Sequence, residues 1–368
     1  MPNTVLEWDK GVKAINMRAV KVLKRDAEKA RKRLFEQGLL DFDYEAVSDK
    51  SHVYFPLKKS VPSAVKEISG KERILKEGIV GIVEKRLPRN EHKRQLKSAL
   101  DSELSEEEAL LVNRSYDIIG NIAILDLPPG LKMREKKIAQ TLMALNKNIR
   151  TVLNKSGIHS GEFRTQRLRY IAGEKTKETL YKENNAQLLL DVEKVYFSPR
   201  LSTERKRIAG LVRPGERVLV MFSGCGPYPM VISKNTLAKE VVGIEKNRVA
   251  HEYALKNAKL NKAGNVRLYC GDVRKIVPKL RQKFDRILMP LPKDADSFLD
   301  VALRASKKGT IIHLYLFLDK EELDDSGGRK KLGQLAARYR KRLAFLGMVR
   351  CGQYSPSTFR ACLDFQIL

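Results

Sequence analysis

Apolar and polar positions alternate with different periods along this chain, and these periods predict three successive groups of elements. In residues 12–36, apolar side chains recur near helical spacing with lysine and arginine between them, which predicts a basic helix. Residues 53–57 (VYFPL) predict a short strand. Together these elements predict a small amino-terminal α+β domain over residues 1–66.

A second α+β domain is predicted over residues 71–175, after a polar stretch around Ser69 and Gly70 that favours a boundary. Its predicted elements are a strand at 79–86, a helix at 106–113, a hairpin or kinked strand at 117–128 and a long basic helix at 133–153. A pair of strands with alternating acidic and basic residues, ending at 192–199, then leads into the last domain.

Strands alternate with helices over the carboxyl-terminal part of the chain, which is the signature of a doubly wound parallel sheet. The predicted strands are 217–222, 240–245, 266–272, 284–292 and 309–317, followed by an antiparallel hairpin of 348–355 and 359–368. Five parallel strands with a terminal hairpin are the plan of class I methyltransferases. We therefore predict an α/β protein in which a class I (Rossmann-like) methyltransferase domain, residues 176–368, follows two smaller α+β domains.

The charge of the chain points to a polyanionic partner. Its 72 lysine and arginine residues against 44 acidic residues give a net charge of +28 and a pI near 9.9. A basic surface of this kind binds nucleic acid, because each neutralised phosphate releases counterions. The alternative is a basic protein whose charge serves solubility alone.

Other classes of protein are excluded or disfavoured. The longest apolar runs, such as 311–318, are far shorter than the ~20 residues that span a bilayer. The first residues show no apolar signal segment, so a cytoplasmic protein is expected. Four widely spaced cysteines and five scattered histidines show no metal-ligand spacing, so no metal site is predicted.

Candidate chemistry begins where the first strand of the parallel sheet ends. The strand runs into Ser223-Gly224-Cys225-Gly226-Pro227, at the sheet edge where doubly wound folds bind nucleotides. Glu245 ends the second strand, where it can accept bonds from ribose hydroxyls, and Asp272 follows the third, where it can accept from an adenine amino group. This arrangement predicts an S-adenosylmethionine pocket. The alternative is that both acids only cap the following helices.

A nicotinamide dinucleotide fits the loop less well. Pro229 stands where the third glycine of the G-x-G-x-x-G pattern is expected, and no residue set for hydride transfer is evident. The fourth strand ends in Met289-Pro290-Leu291-Pro292, and rigid prolines there can present backbone carbonyls to a planar ring nitrogen. Equally, these prolines can simply end the strand.

Several longer sequence motifs of this chain resemble those of one protein family. They are GEFRT (161–165), AGE (172–174), SYDIIGNIAILDLP (115–128), VYFSPRLSTER (195–205), the Gly-Cys-Gly-Pro loop and the Leu-Pro-Lys of the fourth strand. With these motifs, in order, residues 75–368 resemble the archaeal and eukaryotic-type tRNA (guanine-37-N1)-methyltransferase family, whose archaeal members also carry a smaller amino-terminal module.

The resemblance implies roles for individual residues. Glu204 falls on the family's general base, with Arg205 next to it, and Arg164 falls on an arginine that stabilises the reacting guanine. Tyr196 matches an aromatic residue near the target base, and Pro292 matches the proline of an Asn-Leu-Pro motif. The residues expected to bind the cofactor are Arg200, Phe222, Gly224, Gly226, Glu245, Lys246, Asp272 and Pro290.

The chemistry of N1 methylation suits these residue types. Guanine N1 carries a proton, so a carboxylate such as Glu204 must accept it as the nitrogen attacks the methyl group. Negative charge then builds on O6, which a fixed guanidinium such as Arg164 stabilises. The target base must also leave its stack, and Tyr196 can contact it. The alternatives are a phosphate contact for Arg164 and core packing for Tyr196.

Two positions depart from the family pattern. Val220 stands where an Asp is common, and Pro290 stands where the Asn of Asn-Leu-Pro is common. Loss of these polar groups weakens expected contacts to the cofactor or the guanine.

The sequence therefore predicts a tRNA (guanine-37-N1)-methyltransferase that uses S-adenosyl-L-methionine. The protein is expected to be a monomer that binds the anticodon loop and body of tRNA and does not bind DNA. Residues 1–66 and 71–175 are expected to contact the RNA. The alternatives are an aminocarboxypropyl transferase of the wybutosine pathway and an inactive tRNA-binding protein. Retained Glu204 and Arg164 favour methyl transfer.

Overall fold

The computed structural model describes residues 14–36, 39–41, 44–49, 51–58, 79–88, 100, 116–157, 161–291, 295–319, 322–353 and 358–368. The chain divides into two compact units, Met1–Ala109 and Leu110–Leu368. The predicted helix at 106–113 lies outside the described residues. Within the described part, no helix has the length and apolar character needed to cross a membrane.

The described residues of the first unit include a four-stranded antiparallel sheet and the α-helix α1. The strands are β1 (Ala14–Leu23), β2 (Val47–Ser48), β3 (His52–Pro56) and β4 (Ile79–Pro88), in the order β2-β3-β1-β4, and α1 spans Ala27–Glu36. Val20 and Val22 of β1 pack with Leu34 of α1 in a small core.

The predicted helix over residues 12–36 is wrong in its first half. Residues 14–23 form β1, because β-branched Val20 and Val22 fill the core beside the hydrogen-bonding edges of β3 and β4. The helical spacing of the later apolar residues is realised only from Ala27. The predicted strand at 79–86 is confirmed as β4, and it pairs with β1 of this first sheet.

The second unit opens with a small mixed sheet. It contains β5 (Asp117–Ile119), β6 (Ile122–Leu125), β7 (Thr151–Lys155) and β8 (Leu168–Gly173), with α2 at Glu135–Leu145 between β6 and β7. β5 and β6 form the predicted hairpin, and β9 (Glu178–Glu183) and β10 (Ala186–Asp191) form a separate hairpin.

The predicted long helix at 133–153 is too long. It ends at Leu145, because Asn146 adopts an extended conformation and its side chain accepts a hydrogen bond from the backbone of Asn148. Residues Thr151 to Leu153 are buried and continue as β7, parallel to β6.

The carboxyl-terminal domain contains a seven-stranded sheet. Its strands are β11 (Arg217–Met221), β12 (Glu240–Glu245), β13 (Val266–Cys270), β14 (Phe284–Met289), β15 (Ser306–Asp319), β16 (Leu343–Gln353) and β17 (Thr358–Ile367). Its helices are α3 (Ser202–Leu211), α4 (Pro227–Asn235), α5 (Arg248–Leu260), α6 (Val273–Leu280), α7 (Leu299–Ala305) and α8 (Asp325–Tyr339). The order is β13-β12-β11-β14-β15-β17-β16, in which the first five strands are parallel and β17 runs antiparallel to both of its neighbours, β15 and β16. This confirms the predicted class I plan.

The direction of strand order changes between β11 and β14, and open α/β sheets bind ligands at that point. Alternate residues of β11 pack into two cores, Val218 and Val220 on one face and Leu219 and Met221 on the other. Since both faces of the strand are buried, its carboxyl end is held rigidly, and the loop that follows is fixed in place.

Candidate active site

A sharp turn connects β11 to α4. Phe222, Gly224 and Gly226 all have positive φ, at 60°, 57° and 86°, and α4 begins directly afterwards at Pro227. The backbone N–H of Ser223 donates to the carbonyl of Ile244 at 2.9 Å, which ties the turn to β12. A side chain at Gly224 would meet nothing closer than the carbonyl oxygen of Tyr196, at 3.9 Å, so the turn leaves open space there.

Glu245 ends β12 and holds this turn. Its two carboxylate oxygens accept bonds from the backbone N–H of Gly224 and of Asn247, each at 2.7 Å. Burial raises the pKa of Glu245, although these backbone bonds oppose the effect. Asp272 caps α6 by accepting a bond from the backbone of Arg274, and it also lines the cavity described next.

A cavity of about 420 Å³ lies at this edge of the sheet. Nine of the residues predicted from the sequence line it: Arg164, Tyr196, Arg205, Phe222, Gly224, Glu245, Lys246, Asp272 and Pro290. Ser223 also lines it, and among the described residues its buried Oγ has no hydrogen-bond partner. The lining combines aromatic side chains with polar and charged groups, which suits a ligand that carries both an aromatic ring and polar groups. The cavity is therefore suited to an adenosine-containing cofactor.

Several lining residues were missed by the sequence analysis. Phe298 lies edge-on to Phe222, with ring centroids 5.0 Å apart, and the guanidinium of Arg274 lies 3.8 Å from the Phe298 centroid. Glu162 pairs with Lys246 at 2.5 Å, and Lys246 lies 3.8 Å from Asp272. The motif GEFRT contained the signal for Glu162, whereas Phe298 follows a strand end without a motif.

Arg164 and Tyr196 meet in one aromatic and cationic cluster. The guanidinium carbon of Arg164 lies 5.3 Å from the ring centroid of Tyr196 and 5.6 Å from that of Phe317. Arg360 donates to the hydroxyl of Tyr196 at 2.8 Å and lies 5.9 Å from the Phe317 centroid. Arg164 has a φ of 50°, an uncommon conformation for a residue with a side chain, and such strain is concentrated at functional sites.

Arg205 on α3 is the deepest of the predicted residues that line the cavity. Its side chain is 2% exposed and forms a bidentate pair with Glu183. It also donates to the carbonyl of Ser198 at 3.1 Å. These bonds connect the segment before α3 to the β9–β10 hairpin through Arg205.

Glu204, the predicted base, lies on α3 beside Arg205 but is not among the lining residues. It is 5% exposed, and its carboxylate accepts two bonds from Arg207, each at 2.7 Å, and one from the hydroxyl of Tyr315, also at 2.7 Å. Tyr315 in turn accepts a bond from the hydroxyl of Tyr228, at 2.8 Å.

Other predicted residues are placed away from the cavity. Arg200 pairs with Asp117 of β5 at 2.9 Å, with most of its side chain exposed, so it is not brought to the cofactor cavity. Gly226 shapes the turn without lining the cavity, and Val220 is fully buried in the core of the sheet. Pro292 lies outside the described residues.

A buried polar network continues from Glu204 across the sheet. Arg207 also donates to Asp364 at 2.7 Å, and Asp364 lies 2.7 Å from Nδ1 of His313. Arg286 lies 2.7 Å from Nε2 of His313 and pairs with Glu216. His313 is buried within this network and does not line the cavity.

Comparisons with known proteins agree with this architecture. Residues 179–343 match the family model of the TRM5/TYW2 methyltransferase domain, residues 96–176 that of the TYW2 N-terminal domain and residues 19–65 that of the tRNA methyltransferase 5 N-terminal domain. The tRNA (guanine(37)-N(1))-methyltransferase Trm5b of Pyrococcus abyssi is 35% identical over 356 residues, 95% of this chain and 98% of that protein. Its crystal structure has a TM-score of 0.66 at 33% identity and covers 95% of this chain and 99% of that one.

Two further relatives bear on the substrate. A structure of aTrm5 in complex with tRNALeu has a TM-score of 0.66 at 29% identity, over 95% of this chain and 99% of that chain. The tRNA(Phe) (4-demethylwyosine(37)-C(7)) aminocarboxypropyltransferase of Pyrococcus horikoshii is 30% identical over 276 residues, 75% of this chain and 97% of that protein. By its similarity to Trm5b along nearly its whole length, the chain belongs to the TRM5-type tRNA methyltransferase family.

Proposed function

We propose that this protein methylates N1 of guanosine 37 in tRNA, with S-adenosyl-L-methionine as the methyl donor. One observation carries the proposal: a single cavity is lined both by Gly224, Glu245 and Asp272, which suit an adenosine-containing cofactor, and by Arg164 and Tyr196, which suit an unstacked guanine. Similarity to Trm5b, and the tRNA complex of a structural relative, support tRNA as the substrate.

Different residues of the site have different roles in the proposed reaction. The turn at Gly224, held by Glu245, positions the cofactor, which supplies an electrophilic methyl group when bound. Arg164 donates to O6 of the guanine as negative charge develops there, and its two aromatic neighbours fix its plane. The proton on N1 must leave, and Glu204 is the proposed acceptor.

Nucleoside mass spectrometry tests the proposal. Purified protein, labelled cofactor and a tRNA with guanosine at position 37 should yield 1-methylguanosine, whereas the same tRNA with adenosine at this position should gain no label. Glu245→Ala should abolish transfer because the turn loses its carboxylate partner. Exposed Glu252→Ala, on the neighbouring helix α5, is the matched control and should retain activity.

Other products would overturn the proposal. A guanosine derivative that gains an aminocarboxypropyl group would assign the chain to the transferase reaction of the Pyrococcus horikoshii relative. Absence of any product, together with no calorimetric binding of S-adenosylmethionine, would make the chain an inactive RNA-binding protein.

A further inference from the structure

The buried position of Glu204 poses a problem for proton removal. Its carboxylate is 5% exposed and is held by three hydrogen bonds from Arg207 and Tyr315. Glu204 does not line the cavity, so direct contact with a guanine there would require its side chain to move. Such a movement would disturb the ion pair with Arg207, which holds the carboxylate through both of its oxygens.

Two tyrosine hydroxyl groups lie in line between Glu204 and Tyr228, a residue of the cavity wall. Tyr228 lines the cavity, and its hydroxyl donates to that of Tyr315 at 2.8 Å. The hydroxyl of Tyr315 donates to Oε1 of Glu204 at 2.7 Å. Both bonds therefore point toward the carboxylate, and the oxygen of Tyr228, which donates its own proton, retains the capacity to accept one.

The surroundings keep this line of groups in place. Tyr228 and Tyr315 are 3% and 1% exposed, and their rings pack edge to face with centroids 6.1 Å apart. Burial raises the pKa of both tyrosines well above the usual value, so both stay protonated and act as hydroxyl donors. The guanidinium of Arg207 fixes the carboxylate of Glu204, which accepts the hydrogen bond from Tyr315.

We propose that Tyr228 and Tyr315 form a proton relay that carries the N1 proton of the guanine to Glu204 without movement of the glutamate. This inference rests on the proposed function. As N1 forms its bond to the methyl group and the sulfonium–methyl bond breaks, the N1 proton passes to Tyr228. The proton of Tyr228 passes to Tyr315, and that of Tyr315 passes to Oε1 of Glu204. The products are neutral 1-methylguanosine, S-adenosylhomocysteine and a protonated Glu204, which later releases its proton to solvent.

Single-turnover methylation at saturating cofactor and tRNA tests the relay. Tyr315→Phe and Tyr228→Phe each remove only a hydroxyl, and each should lower the rate by about 10-fold or more while the Kd of the cofactor stays unchanged. The matched control is Tyr253→Phe, because Tyr253 on α5 also donates to a glutamate, Glu178, at 2.6 Å, and it does not line the cavity. This control should keep the wild-type rate.

Two readouts separate a relay from a packing role. Combining Tyr315→Phe with Glu204→Gln should give no further loss beyond Glu204→Gln alone, since both act on one proton path. For the wild-type protein, a plot of the methylation rate against the fraction of heavy water should curve downward, because several protons are transferred in the same step. For Tyr315→Phe the same plot should be a straight line.

The relay is overturned if Tyr315→Phe keeps or exceeds the wild-type rate, because Glu204 then meets the guanine directly. It is also overturned if the losses from Tyr315→Phe and Glu204→Gln multiply. If the wild-type protein forms no 1-methylguanosine, the proposed function fails instead, and that result is distinct from either of these.

Discussion

Nη1 of Arg286 lies 2.7 Å from Nε2 of His313 in the interior of the seven-stranded sheet. A guanidinium can only donate, so Nε2 of the histidine must accept, and its single ring proton is on Nδ1, which donates to Asp364 at 2.7 Å. Burial lowers the pKa of His313 by more than Asp364 raises it. The histidine is therefore held neutral.

This arrangement predicts a dependence of stability on pH. The unfolded chain binds a proton at His313 near pH 6.5, and the folded chain resists it, so the stabilisation is complete above that pH and is lost as the pH falls below it. The free energy of unfolding should decrease by at most about 1.4 kcal/mol per pH unit from this group. Denaturant titrations between about pH 7 and about pH 5.5 measure the slope.

His313→Gln is the matched variant, since an amide can accept from Arg286 and donate to Asp364 without titrating. The variant should show a flatter profile over this range. A slope equal to that of the wild type would show that another group is responsible.

Arg207 is predicted to be the main electrostatic support of α3. It bridges Glu204 and Asp364, and the bonds from His313 and Arg207 outweigh burial and hold the pKa of Asp364 well below its usual range. Arg207→Met leaves two buried carboxylates without this cation and should lower the free energy of unfolding by about 3–5 kcal/mol. The control is Arg248→Met, which removes an exposed partner of Glu252 and should cost about 0.5 kcal/mol or less. Equal losses in the two variants would contradict this role.

Arg164 is predicted to act in the chemical step. Arg164→Ala should lower the single-turnover rate by roughly 10²-fold with saturating tRNA, because a developing charge on O6 loses its donor. Arg164→Lys should restore little activity, since an ammonium group cannot reproduce the planar fork that lies against Tyr196.

Exposed Arg167, three residues later, supplies the control for Arg164. Arg167→Ala should leave the rate at saturation near that of the wild type. If Arg164→Ala weakened tRNA binding only, and salt abolished the difference from wild type, the residue would be a phosphate contact instead.

The sequence predicted the methyltransferase domain well because its central strands β11, β12 and β14 are buried on both faces and its strands alternate with helices. Such strands read as continuous apolar runs, and β11 and β12 were placed within a residue. Residues 14–23 were missed because Val20 fits helical spacing with Leu23 and strand spacing with Val22, and only pairing with β3 and β4 decides between them.

The site was predicted in part. Residues fixed by local backbone, such as Gly224 and Glu245, lie where the pattern of strand and turn puts them. Tyr315 and Arg360 belong to strands far along the chain, and the antiparallel register of β15 and β17 brings them to α3 and Tyr196. No local motif encodes such a register, which is why these contacts to predicted residues could not be foreseen.

The most direct test of the account concerns Glu204. Glu204→Gln keeps the shape of the side chain but removes the carboxylate that accepts the proton, so the single-turnover rate of methylation of guanosine 37 should fall by roughly 10²-fold or more. The affinities for tRNA and for S-adenosylmethionine should stay near those of the wild type. Turnover equal to that of the wild type would contradict the assignment of Glu204 as the proton acceptor.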